Sequence, residues 1–160
     1  MSTKQFRQAT RNDIPLILKF IKDLAHFEKL DNEVTATPEL LDEWLFARNT
    51  AEVIFALDET GNEVGFALFY HNFSTFLGKG GIYLEDLFVL PEYRKLGFGK
   101  FLLHTLAQIA IDRGCGRLDL SCLDWNTNAI AFYKKFGCTV MDDWTGYRFS
   151  GDSLQKLAQC

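Results

Sequence analysis

The stretch that decides the fold is "YLEDLFVLPEYRKLGFGKFLLHTLAQIAIDRGCGRLDLSCL", residues 83–123. It opens as an apolar strand, passes a turn holding Gly97 and Gly99, becomes an amphipathic helix and closes as a second strand. The helix carries Phe98, Phe101, Leu102, Thr105, Leu106, Ile109 and Ala110 on one face and stops near Gly114. A crossover of this kind pairs its two strands in parallel and is right-handed. Ligands in such sheets bind at the carboxyl ends of the parallel strands, beside the helix N-terminus. The turn, of the form R-x-x-G-x-G from Arg94 to Gly99, falls at that place. Its glycines let backbone approach a ligand closely, and the helix N-terminus adds N–H donors and a favourable dipole. With Arg94, Lys95 and Lys100 beside it, the turn predicts a bound phosphate. A Walker loop is excluded because Phe101 follows Lys100, and a dinucleotide fingerprint would need glycine where Leu102 stands. A plain tight turn is the competing reading.

Upstream, "KQFRQA" alternates as a short strand, and Thr10 with Asp13 forms a capping box for a helix. That helix has Ile14, Ile17, Leu18, Ile21, Leu24 and Ala25 on its apolar face. Thr37–Pro38–Glu39 starts a second helix carrying Leu40, Leu41, Trp44 and Leu45. "AEVIFAL" and "EVGFALFYHNF" read as strands joined by a hairpin turn, "DETGN". Downstream, "NTNAIAFYKKFG" is a helix capped by Asn126, "CTVM" and "TGYRFS" read as final strands, and Asp152–Gln159 as a last helix. The predicted order is β-α-α-β-β-β-α-β-α-β-β. This is an α+β fold, a mixed and mostly antiparallel sheet with a central parallel pair flanked by helices, in one domain over residues 1–160.

The 160 residues can bury a full core, and 48% apolar with 24% charged residues is ordinary for a globular protein. "MSTKQFRQATRND" has no apolar stretch between its charges, which predicts no signal peptide and a cytoplasmic location. No run is long enough to span a membrane. Cys115, Cys122, Cys138 and Cys160, like His26, His71 and His104, lack metal-ligand spacing, so no metal is expected and the cysteines read as small buried hydrophobes. The net charge of −4 argues against nucleic acid as a partner and suits a cationic substrate.

The segments "DLAHFEKL", "YLEDLFVLPEYRKLGFG", "LDWNTNAIAFYKKFG" and "YRFSGDSLQKLA" together resemble the diamine acetyltransferases of the GNAT superfamily, whose signature is [RQ]-x-x-G-x-[GA]. "FEKL" and "LDWN" are most similar to the thialysine acetyltransferase branch. The resemblance covers nearly the full chain. It implies an N-acetyltransferase that takes acetyl-CoA, with the 94–100 turn (Arg94, Lys95, Leu96, Gly97, Phe98, Gly99 and Lys100) holding the pyrophosphate. It also implies that Asn126 and Ala129 lie along the pantetheine arm, and that relatives pair as homodimers. A backbone N–H between Leu87 and Val89, including Phe88, would serve as the oxyanion donor where the strand bulges.

Acetyl transfer to an amine needs a deprotonated nucleophile, donors for developing oxyanion charge, and a proton for the departing thiolate. The resemblance gives the last role to Tyr133, whose competing reading is an aromatic packed beside Phe132 and Phe136. Period-two alternation sends Glu85 and Asp86 to opposite faces. The resemblance assigns Glu85 to the amine as orienting group and base, which leaves Asp86 as a solvated or structural carboxylate. Phe27 and Glu28 match the amine-binding pair. Ser74 and Phe76 stand where the polyamine enzyme has an acid and a tryptophan, which favours short diamines or lysine-like amino acids over spermine. The rival readings are a protein lysine or N-terminal acetyltransferase and a non-catalytic CoA-binding module; the second is disfavoured by the presence of Tyr133 and Glu85.

Overall fold

The computed structural model describes residues 3–160. The chain groups into two compact units, one running through Ser121 and the other Cys122–Cys160. In the first, strands β1 (Gln5–Gln8), β2 (Glu52–Leu57), β3 (Glu63–Ser74), β4 (Lys79–Val89) and β5 (Leu118–Leu120) form one sheet in sequence order. Neighbours pair antiparallel except β4 with β5, which pair in parallel. The mixed, mostly antiparallel fold class and the parallel pair read from residues 83–123 are those observed, with the pair at the β5 edge of the described sheet rather than at its centre.

Helix α1 (Ile14–Phe27) begins behind the Thr10–Asp13 capping box. Arg7 fixes this corner by binding both Asp13 and Glu63, at 2.7 Å each. Its guanidinium holds the Asp13 carboxyl at about 2, mainly through the side-chain hydrogen bond. Thr37 caps α2 (Pro38–Leu41), which continues as a π-turn through Asp42–Ala47. On this side of the sheet the core centres on Phe20, which the sequence pattern did not single out. Its ring lies 5.1 Å from Phe66, 5.9 Å from Phe55 and 6.4 Å from Phe88.

The opposite face carries α3 (Phe98–Asp112), whose Phe98, Leu102, Leu106 and Ala110 pack on Ile54, Ala67, Phe69 and Ile82. Gly65 explains how closely its first turn approaches. A Cβ there would lie 3.0 Å from the Phe88 carbonyl oxygen and 3.4 Å from Leu102. A glycine in a strand interior is what such an approach requires.

The second unit contains α4 (Thr127–Lys135) and α5 (Gly151–Ala158). The strands expected at "CTVM" and "TGYRFS" are not formed, because no strand among the described residues pairs with them, and a strand without a ladder leaves its backbone groups to solvent. Trp144, Tyr147 and Phe149 are accordingly exposed. The cysteines also depart from expectation: Cys115 and Cys122 are half-buried, Cys138 and Cys160 exposed, and all four are free thiols. Among the described residues no helix is long and apolar enough to cross a membrane.

Candidate active site

The site grows out of one irregularity in β4. Leu68 of β3 faces Asp86 and Phe69 faces Leu84, so Glu85 is an extra residue, a β-bulge. The Ile82 N–H donates to the Arg117 carbonyl on the β5 side, whereas the Leu90 N–H donates to the Val64 carbonyl on the β3 side. An unbroken strand would point residues 82 and 90 the same way, so the bulge reverses the alternation. The Leu87 and Val89 N–H groups therefore point away from β3. They lie past the last parallel pair, Leu84 with Leu120, where β5 no longer satisfies them. The bulge precedes residues 87–89 rather than falling within them, a correction to the sequence reading that keeps the free donors.

The same reversal corrects the reading of the two acids. Past the bulge, Asp86 shares the α1 face with Phe88 and Leu68. It is half-buried, and desolvation, followed by the charges of Glu85 and Glu28, pushes its carboxyl up to about 7. Asp86 is thus a half-buried carboxyl beside two other acids rather than a solvated one. Glu85 itself is exposed, and burial, followed by the Glu85 charge, raises the nearby Tyr70 hydroxyl above its ordinary range. Tyr70 stacks on Tyr83 at 5.2 Å. Glu28 caps the C-terminal end of α1, half-buried, and desolvation raises its carboxyl too. None of Glu28, Glu85 and Asp86 has an ion-pair partner among the described residues. Asp86 and Tyr70 are the members the sequence reading did not assign; the "ED" pair offered Asp86, but only the bulge selects it.

At the carboxyl end of β4 the chain turns through Lys95 and Gly97, both left-handed with φ of 62° and 86°, into α3. Gly97 is the N-cap and offers no side-chain cap, and no acid stands in the first turn of α3. The N–H groups of Phe98, Gly99 and Lys100 are therefore donors without intrahelical acceptors. This open end fits a phosphate. Phe98 is buried, while Lys95, Leu96 and Lys100 face outward. Arg94, expected as a positive charge beside the turn, is also held by the protein itself. Its Nε donates to the Val89 carbonyl at 3.0 Å and its guanidinium lies over Phe27 and Phe88, so it braces the turn. At the far end of β3, the Ser74 hydroxyl accepts the Leu77 N–H within the hairpin and Phe76 is 99% exposed.

Residues 18–138 match the acetyltransferase (GNAT) family. The chain belongs to the GNAT acetyltransferases. It is 35% identical to thialysine N-epsilon-acetyltransferase of Mus musculus over 99% of both chains. It is 31% identical to L-ornithine N5-acetyltransferase of Arabidopsis thaliana, over 96% of this chain and 87% of that one. Among solved structures, an integron cassette protein from the mobile metagenome of V. cholerae is similar with a TM-score of 0.81 and 28% identity over the whole of both chains. The second unit of this GNAT chain places Tyr133 half-buried on α4, its ring 5.2 Å from Phe132 in an edge-on arrangement. Asn126 caps α4 by accepting the Ala129 N–H at 3.2 Å, so that N–H is already engaged.

Proposed function

We propose that this GNAT acetyltransferase moves an acetyl group from acetyl-CoA to a primary amine of a small cationic molecule, a short diamine or lysine-like amino acid, by direct attack. The observation that carries this is the group Glu28, Asp86 and Glu85, three carboxyls with no cation of the protein to pair with. Glu28 also stands at a helix C-terminus, where a negative charge opposes the helix dipole. Such an arrangement is destabilising until an external cation supplies the missing charge.

Acetyl-CoA, when bound, supplies the acetyl group as a thioester. The uncapped N–H groups of Phe98, Gly99 and Lys100 hold its phosphates, and the Leu87 and Val89 N–H groups are placed to donate to the thioester carbonyl. Phe27 gives the amine an apolar wall and Glu28 anchors its distal charge. Glu85 and Asp86 orient the reacting nitrogen; Asp86, with its carboxyl near 7, is matched to take its proton at neutral pH. Tyr133 supplies the proton to the departing thiolate, a role that rests on the family resemblance. The mouse and Arabidopsis relatives, named for thialysine and ornithine, support an amino-acid-like acceptor. We also propose a homodimer, supported by the exposed aromatic side chains of residues 138–149.

Initial-velocity kinetics test the mechanism. Direct attack gives intersecting lines, and Tyr133→Phe lowers kcat by roughly 10²-fold or more with unchanged CoA affinity. Parallel lines would indicate a covalent acetyl-enzyme instead.

A further inference from the structure

The sheet face that α1 packs on continues beyond the end of that helix. α1 stops over Phe88, where the Phe27 ring lies 6.4 Å from the Phe88 ring. Back along β4 the same face presents Asp86, the bulge residue Glu85 and then Tyr83, since Ile82 and Leu84 point into the α3 core. Tyr70 of β3 pairs with Tyr83, and the two rings stack at 5.2 Å and 29°. Tyr83 is held in turn by its hydroxyl, 2.7 Å from the Ser121 hydroxyl oxygen just past β5. The Tyr70 hydroxyl stands close enough to Glu85 for that charge, after burial, to raise it. Both rings are half-buried, yet neither belongs to the apolar core on either face of the sheet.

An aromatic face attracts a cation through its quadrupole, more strongly where water is excluded. Other rings of this protein already have such a cation: Arg94 lies over Phe27 and Phe88, and Arg7 over Phe55. Among the described residues no lysine or arginine lies over Tyr70 or Tyr83. The pair thus has a carboxylate beside it and no cation of its own. A primary amine reaches it as an ammonium, because its free pKa is about 10. We propose that Tyr70, backed by Tyr83, is a specificity-determining residue for the acceptor: its ring receives the ammonium that Glu85 orients, and discriminates a charged amine from a neutral molecule of the same shape. This rests on reading Glu85 as part of the amine site. Deprotonation removes the charge that the ring attracts, so the contact belongs to substrate capture and is registered in KM rather than kcat.

The test is acetyl transfer from acetyl-CoA to ornithine or a short diamine, with two inhibitors that compete with the amine. One is choline; the other is its uncharged isostere, in which carbon replaces the quaternary nitrogen. Choline is expected to inhibit the native protein about tenfold more strongly than the isostere. Tyr70→Leu should reduce that preference and raise the amine KM, each about three- to tenfold, with kcat and the CoA Kd nearly unchanged. Tyr70→Phe should keep the preference, because the ring carries it and the hydroxyl does not. A merely structural cross-strand contact would lower the thermal midpoint of Tyr70→Leu and leave the charge preference intact, which would overturn the inference. Equal inhibition of the native protein by both compounds, or a Tyr70→Phe variant as impaired as Tyr70→Leu, would overturn it too. Impaired transfer in Glu85→Gln beside an unchanged Tyr70→Leu would overturn the inference and leave the amine site in place. No effect in either variant, or no transfer to either acceptor, would overturn the reading of the site as well.

Discussion

The Arg94 guanidinium lies 4.7 Å from the centre of the Phe27 ring, so the first residue of the R-x-x-G-x-G turn rests on the helix that ends in Glu28. The turn assigned to the cofactor and the helix end assigned to the amine are thus packed on each other through one side chain. Arg94→Lys keeps the charge but loses the planar stacking surface and the Nε–H that donates to the Val89 carbonyl. The expected result is a rise of roughly three- to tenfold in both the CoA Kd and the amine KM, since a cation–π contact contributes about 0.5–2 kcal/mol. A change in only one of them would show that Arg94 does not couple the two ends.

Asp86 sets the pH dependence. As a base it must be ionised, so kcat/KM should rise with pH through about 7, a limb that Asp86→Asn abolishes. Its folded carboxyl lies above its ordinary 3.8, so between about 4 and 7 the folded state holds a proton that the unfolded chain has lost. Stability therefore falls as pH rises through that window and is level above it. Asp86→Asn should be more stable than the native protein at pH 8 and show no such fall. A native kcat/KM limb centred well below pH 5 would remove Asp86 from the chemistry.

Phe20 is the packing centre of the α1 face, with three aromatic neighbours within 6.4 Å. Phe20→Ala should cost about 3–5 kcal/mol in denaturant unfolding without lowering the cooperativity of the transition. A cost below about 1 kcal/mol would mean that this face is not the cooperative core.

These sites differ in how far the sequence announced them. The crossover, the uncapped glycine turn and the Thr10–Asp13 capping box are local patterns, and each is readable within a few residues of itself. The bulge at Glu85 is not local: it is a register shift against Leu68 and Phe69, and period-two alternation along "YLEDLFV" points to the wrong face past it. For the same reason the burial of Asp86, which raises its carboxyl more than the charges of Glu85 and Glu28 do, is not legible in the local pattern. The side-chain role of Arg94 was equally hidden, since a turn motif does not say whether its cation faces a ligand or a neighbouring ring. "CTVM" and "TGYRFS" failed in the opposite direction; their propensity is for strand, but pairing decides, and no described strand supplies it.

Those unpaired segments lead to an expectation about assembly. Trp144 is 74% and Tyr147 88% exposed, a density of large apolar surface uncommon on a free monomer. Light scattering at micromolar concentration should give the mass of a dimer, and Trp144→Ser with Tyr147→Ser should shift it toward the monomer. A monomeric native protein would contradict the homodimer.

The central claim, that three unpaired carboxyls select a small cationic amine, is tested most directly by kcat/KM on one panel. Thiol release from acetyl-CoA would be followed with thialysine, ornithine, a short diamine, spermine and a lysine-containing peptide. The account predicts highest values for the amino-acid-like or short amines, lower values for spermine because Ser74 and Phe76 supply no distal acid, and a rise in amine KM alone on Glu28→Gln. Transfer confined to the peptide, or Glu28→Gln leaving the amine KM unchanged, would contradict it.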